Sequence, residues 1–380
     1  MSLRRCPDLQ VQQKWGISMK QRFVTSLKPG MVIAENVFSL QGRLLISKGT
    51  ALTQNMIEML EANSIPIVKI VEEAPPAPKE EATSKNTTPR SYMQRVRESE
   101  EFKRFKKEYD EHIERFETSL NNLVDRNTPM DIDVLLHDTL SLLYQNGHSL
   151  GIMDMLMNVR DHDDITYTHS VNVALICGVF ADWLQFTEEQ KNTAIICGLF
   201  HDIGKLSISQ HIIQKPARLT DEEFESIKQH KMAGYETLCK YNVNEHVRNA
   251  ALMHHEKCDG SGYPNGLMGS EIDDYAKLVT IADIYDAMTS QRVYRDPICP
   301  FEVIREFEND GLQKYDPRYI LVFLENVANS YLNQRVHLSN GKEGNIIFIN
   351  RSNLSQPTIH CDDGFINLKE HKGVTIEYIL

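Results

Sequence analysis

Two residue doublets, His201-Asp202 and His254-His255, place metal-ligating side chains where unpaired polar groups would be costly. The segment leading to the first opens with Thr187 and Gln190, a capping-box pair for a helix from Glu188. Ala194 to Phe200 is then apolar on every side, which predicts a buried helix, and Gly204 is expected to close it. An imidazole and a carboxylate at that buried end need a partner, and a metal ion supplies one. Neighbouring helical residues project about 100° apart, so a His-Asp doublet suits a site where the Asp bridges two ions and the His binds one. His254-His255 repeats the pattern near the end of a helix capped by Asn244, His169 begins the apolar run Val171 to Leu184, and Asp283 follows the apolar run Val279 to Ala282.

Of the 14 histidines, His169, His201, His230, His254 and His255 stand out, with His162 as an outlying sixth. Five imidazoles and two carboxylates are too many for one tetrahedral zinc. They suit two ions in octahedral-like coordination completed by water. Mixed imidazole and carboxylate donors favour iron or manganese, with zinc or nickel as alternatives.

The elements that must position these groups can be read from periodicity. Residues 20–71 alternate short β-like runs (Met31 to Ala34, Leu44 to Ile46, Ile67 to Ile70) with turns and a short helix capped by Thr53, a small α/β module. An extension covers residues 1–19. Residues 72–90, rich in Pro, Glu, Ala, Ser and Thr, read as a linker. From residue 91 to 126, Phe102, Phe105, Tyr109, Ile113, Phe116, Leu120 and Leu123 recur every three or four residues, giving one apolar stripe on a long charged helix. That stripe is expected to pack on the next domain, with a dimerisation or signalling role as the alternative. Residues 130–333 are almost wholly helical in pattern and hold the chemistry. Residues 334–380 return to β-like runs and form a small C-terminal β appendage.

Composition narrows the function. The 380 residues are 41% hydrophobic and 25% charged, as in ordinary globular proteins. No apolar run approaches the ~20 residues of a membrane span, and the N-terminus lacks the apolar stretch of a signal peptide. Seven scattered cysteines contain no CxxC pair, which argues against a thiolate zinc site and a disulfide framework and fits a reducing cytoplasm. The 41 basic and 53 acidic residues give a net charge of −12, poor for general nucleic-acid binding, so DNA is not an expected partner. A phosphate-bearing ligand would need local cations.

The ordered motifs resemble the HD-GYP family, a branch of the HD phosphohydrolases. They are His201-Asp202-Ile203-Gly204-Lys205, Lys215-Pro216 with Leu219-Thr220, His230 with Gly234, His254-His255-Glu256, Asp259-Gly260-Ser261-Gly262-Tyr263-Pro264, and Ala282-Asp283-Ile284-Tyr285-Asp286-Ala287-Met288-Thr289-Ser290 with Arg292 and Tyr294-Arg295. The resemblance runs from about residue 150 to 330, and residues 20–71 resemble, more weakly, a module often found before such domains. It implies a mainly α fold: a helical HD-type metal-dependent phosphohydrolase domain flanked by the small α/β module and the β appendage.

The resemblance further implies a bacterial phosphodiesterase that hydrolyses cyclic di-GMP to linear pGpG, and perhaps on to GMP, with a metal-activated bridging water. His169, His201, Asp202 and Asp283 would hold one metal, and Asp202 would bridge to a second held by His230, His254 and His255. Lys205 would face the phosphate, Gly262 and Tyr263 would shape the substrate wall, and Arg292 and Arg295 would supply the local cations. Asp286, on the helix face of Asp283, would accept or relay a proton. Some family members carry a metal-binding Glu four residues before the first His. Here that position is Ile165, and Asp163 and Asp164 would face elsewhere on a helix, so a two-metal site is expected. Cyclic GMP-AMP is an alternative substrate, a catalytically weak cyclic-dinucleotide sensor is an alternative of another class, and a different HD phosphohydrolase activity is a third reading. Diguanylate cyclase domains and a second copy of the chain are candidate partners.

Overall fold

The computed structural model describes residues 18–23, 27–28, 30–34, 36–38, 44–53, 56–57, 60, 67–72, 96–126, 128–145, 149–159, 165–213, 215, 219–290 and 297–380. The chain forms two compact units, Met1–Asn86 and Thr87–Leu380. Most of the expected extension and linker lies outside the described residues.

In the first unit, β1 (Ser18–Phe23) pairs antiparallel with β4 (Ile67–Glu72), and β2 (Val37–Phe38) pairs with β3 (Leu44–Ile46). Ile33, Leu52, Leu60 and Ile70 are among the buried residues of its separate small core. The run Met31 to Ala34, expected as a strand, makes only isolated bridges, Val32 to Ala51 and Ile33 to Ile70.

The second unit begins with the long helix α1 (Glu100–Arg126), followed by α2 (Ile132–Gln145) and α3 (Ser149–Val159). Its apolar stripe from Phe102 to Leu123 is buried in the same core as the helices that follow, so it packs on them as its spacing predicts. At the centre is α4 (Ile165–Trp183), which packs against α5 (Glu188–Phe200) and α10 (Asp274–Thr289). Residues Val171 to Ala181 are buried without a break, so this helix has no polar face. Thr187 and Gln190 form the expected reciprocal cap of α5. Between α5 and α10 come a 3-10 turn (Ile203–Ser207), α6 (Gln210–Ile213), α7 (Asp221–Lys228), α8 (His230–Leu238) and α9 (Glu245–Met253). Two further helices, α11 (Pro300–Lys314) and α12 (Pro317–Ser330), complete the helical body.

The expected role of Gly204 requires correction. Helix α5 ends at Phe200 with His201 as its C-cap, and Gly204 lies inside the following 3-10 turn. A Cβ at Gly204 would overlap the His230 carbonyl and the Gly234 nitrogen. The glycine therefore lets α8 approach the His201-Asp202 corner rather than closing a helix.

The C-terminal residues form a five-stranded antiparallel sheet ordered β8-β7-β6-β5-β9. Its strands are β5 (Arg335–Leu338), β6 (Glu343–Asn350), β7 (Asn353–Cys361), β8 (Gly364–Asn367) and β9 (Ile376–Ile379). Strand β8 was not expected; at four residues after a turn it shows too little alternation to read. Val336, Leu338, Ile346 and Ile359 belong to the same core as the helices, so the sheet packs as part of this unit. Glu308 of α11 accepts from the backbone nitrogens of Leu354 (2.6 Å) and Ser355 (3.4 Å). Among the described residues no helix is long and apolar enough to cross a membrane.

Candidate metal centre

Five elements deliver the polar groups to one buried point. His169 projects from α4, His201 and Asp202 from the corner after α5, His230 from the start of α8, and Asp283 from the middle of α10. His254 caps α9, and His255 follows it. His169, His201, Asp202, His230 and His254 are each at most 6% exposed.

The donor atoms fall into overlapping triads, each with its atoms within 4.8 Å of one another: His169, His201 and Asp283; His201, Asp202 and His254; and His230, His254 and His255. Asp202 stands between them. Its Oδ2 lies 3.2 Å from His201 Nε2 and 3.7 Å from His169 Nε2, while its Oδ1 lies 3.4 Å from His230 Nε2 and 3.6 Å from His254 Nε2. His169 Nε2 is also 3.0 Å from Asp283 Oδ1.

The outer ring nitrogens are committed elsewhere. Nδ1 of His201 donates to the Gly198 carbonyl (2.7 Å), that of His230 to Ile227 (2.6 Å), and that of His254 to Ala250 (3.0 Å). His169 Nδ1 donates to Asp286 Oδ2 at 2.7 Å. These bonds fix each ring so that Nε2 faces inward, as metal-ligating histidines require. The inward atoms Asp202 Oδ1 and His201 Nε2 have no hydrogen-bond partner among the described residues despite full burial. A native core rarely leaves such atoms unsatisfied, and divalent ions at the triads would satisfy both. The donor set therefore fits metal.

Asp202 and His230 hold the protonation states that metal ligation needs. Burial opposes ionisation of Asp202, yet the Lys205 charge and the neighbouring His201 hold its carboxyl well below the usual range. Burial also pushes the His230 imidazole down to about 3, leaving it a neutral donor. For His169, burial is outweighed by bonds to Asp283 and Asp286, which raise it to about 9.

Lys205 lies at the edge of the centre with Nζ 2.5 Å from Asp202 Oδ2. Tyr263 stacks on His255 with centroids 4.9 Å apart and planes at 22°, and its backbone nitrogen donates to the His255 carbonyl at 3.2 Å. A Cβ at Gly262 would overlap the Glu256 and Lys257 backbone, so glycine permits this fold-back. Asp286 sits behind His169, and its other oxygen accepts from Asn172 Nδ2 (3.1 Å) and Ser290 Oγ (3.0 Å). It thus orients the imidazole, and a proton relay from there would have to pass through His169. Arg292 and Arg295, with His162, Asp163 and Asp164, lie outside the described residues, and Ile165 is the first residue of α4.

Several supporting residues escape a reading of motifs. Tyr109 of α1 donates to Asn172 Oδ1 at 2.5 Å, so a buried chain runs from the long helix through Asn172 and Asp286 to His169. Asn172 was detectable as the polar residue inside an otherwise apolar helix. Buried Lys231 sits with Nζ 3.3 Å from the Tyr263 ring centroid. Buried Glu256, which the His254-His255-Glu256 motif names without giving it a role, accepts from the nitrogens of Asn265 (2.7 Å) and Leu267 (3.0 Å), pinning the loop after Tyr263.

Residues 138–319 match the family model described as an HD domain. A Thermotoga maritima protein named "Cyclic di-GMP phosphodiesterase" is 37% identical to this chain over 178 residues, covering 46% of this chain and 48% of that one. "Cyclic di-GMP phosphodiesterase PA4108" of Pseudomonas aeruginosa is 33% identical over 54% of this chain and 49% of its own. "3'3'-cGAMP-specific phosphodiesterase 1" of Vibrio cholerae is 36% identical over 48% of this chain and 43% of its own. The chain thus spans about half the length of the curated relatives it matches.

Proposed function

We propose that this chain is a metal-dependent phosphodiesterase that hydrolyses cyclic di-GMP to linear pGpG. The observation that carries the reading is Asp202, whose two oxygens face two different sets of histidines. That arrangement suits two ions bridged by one carboxylate, with His169, His201 and Asp283 on one side and His230, His254 and His255 on the other. Iron or manganese matches the donors best. Divalent ions held there would acidify a water and offset the charge that builds on the phosphoryl oxygens.

The chain's own groups do the rest. Lys205 holds a positive charge at the edge of the centre, where the scissile phosphate would sit. Tyr263 forms an apolar wall beside His255 and limits how the sugar-phosphate ring can lie. Asp286 keeps His169 in one tautomer. No Ser or Cys nucleophile is needed, since water attacks phosphorus and the ribose 3′ oxygen leaves. The six described cysteines are free thiols, which supports placing the chain in a bacterial cytoplasm.

Cyclic GMP-AMP is the second reading, favoured by the similarity to proteins named as specific for it. Incubating metal-replete protein with each cyclic dinucleotide, and separating the products by chromatography, tests both. Linear pGpG formed from cyclic di-GMP, and abolished by chelation, is the expected result. Faster cleavage of cyclic GMP-AMP would favour the second reading, and no turnover of either would reject the phosphodiesterase function.

A further inference from the structure

A cavity of about 260 Å³ lies beside the centre, between α1 and the start of α4. Glu117 and Asn121 of the long helix line it, together with Thr166 and Tyr167 of α4, Lys205 and Gln210. Lys205 belongs to both places: it walls the cavity, and its Nζ lies 2.5 Å from Asp202 Oδ2. Thr166 and Tyr167 precede His169 on the same helix. A group in this cavity is thus one side chain away from the proposed phosphate position. The volume falls below the roughly 300–1,000 Å³ of sites that enclose a whole drug-sized ligand. It suits one planar fragment of a larger molecule.

The lining specifies the chemistry of that fragment. Tyr167 Oη donates to Asn121 Oδ1 at 2.9 Å, which uses the amide's acceptor and leaves its NH2 to donate. The Glu117 carboxylate offers two acceptor oxygens. A donor amide beside an acceptor carboxylate complements the Watson–Crick edge of guanine, which presents the O6 acceptor next to the N1–H and N2–H donors. Adenine presents a lone pair at N1, which the Glu117 carboxylate would repel.

We propose that this cavity is a guanine-reading subsite, in which Glu117 accepts from N1–H and N2–H and Asn121 donates to O6. The proposal rests on the cyclic-dinucleotide reading and deepens it. It makes the long helix part of the substrate site and gives the chain a means of distinguishing guanine from adenine. Glu117 is half-buried and Asn121 exposed in the open cavity, so discrimination would come from pairing guanine's donors and from the carboxylate facing adenine's N1 lone pair, since a site built to hydrogen-bond one group binds an analogue lacking it less well.

The test is equilibrium binding of GMP, AMP and inorganic phosphate to the full, manganese-loaded chain, with metal content measured on the same samples. Wild type is expected to bind GMP at least about tenfold more tightly than AMP. Glu117→Gln and Glu117→Ala should weaken GMP and relieve the repulsion of AMP, most of all in Glu117→Gln, until the two nucleotides bind within about threefold of each other, with phosphate affinity and metal content unchanged. Equal binding of the two nucleotides by wild type would overturn the proposal, as would a preference that survives both substitutions. Metal loss in the variants would also overturn it, because Glu117 would then be supporting the centre. Turnover is a separate readout: guanine preference without hydrolysis of cyclic di-GMP would reject the phosphodiesterase function and leave the subsite standing.

Discussion

Asp286 shows how far a single side chain's role depends on what surrounds it. Three residues after Asp283, it shares that residue's helix face, which suggests proton transfer. Its oxygens are instead taken by His169 Nδ1, Asn172 Nδ2 and Ser290 Oγ, the pattern of a carboxylate that orients a metal-ligating imidazole. Asp286→Asn should therefore lower metal affinity by about 10–100-fold, read by titrating apo protein with manganese. Unchanged affinity with a lost turnover rate would return Asp286 to proton transfer. The metal donors were legible in the sequence because imidazoles and carboxylates inside apolar helices demand an explanation. Lys231 and the role of Glu256 were not, because their partners Tyr263, Asn265 and Leu267 arrive from a loop whose path no periodicity records.

At the scale of elements, the corner between α5 and α8 sets the geometry. Gly204 admits the His230 backbone where any Cβ would overlap it. Gly204→Ala should cost about 1–3 kcal/mol of stability and reduce bound metal, since α8 carries His230; calorimetry with metal analysis checks both. The α1–α2 contact carries a second consequence. His112 is fully buried, with Nε2 3.0 Å from Thr139 Oγ1, while Arg115 Nε holds the nearby Asp138 carboxylate at 2.7 Å. Burial, reinforced by the Arg115 charge and only partly offset by Asp138, pulls the imidazole down to about 4. In the unfolded chain a histidine titrates near 6.5. Protons therefore favour the unfolded state between those values: the stability is intact above about pH 6.5 and is lost as pH falls toward 4. Denaturant melts should show about 2 kcal/mol lost through His112 between pH 6.5 and 5, a loss absent in His112→Gln. An equal pH slope in the two proteins would contradict it. The long helix itself was readable from its stripe, but its polar contacts with α4 were not, since Tyr109 reads simply as one more apolar position.

For the whole molecule, the helical body was the most legible part, because α1 carries a long apolar stripe, α4 and the end of α5 are apolar runs, and caps such as Thr187 and Asn244 mark where helices start. The C-terminal strands were visible as runs, but their membership of the helical core was not. Burial of Val336 and Ile359 against helices is a long-range fact that alternation along a strand cannot encode. The same limit applies to the metal centre, where five separate elements converge on Asp202. Counting metal on anaerobically purified full chain, beside Asp202→Ala, tests that convergence most directly. Two divalent ions per chain in wild type, falling to one or none in the variant, is the predicted result. One or three ions in wild type, or two retained without Asp202, would contradict a binuclear centre bridged by this carboxylate.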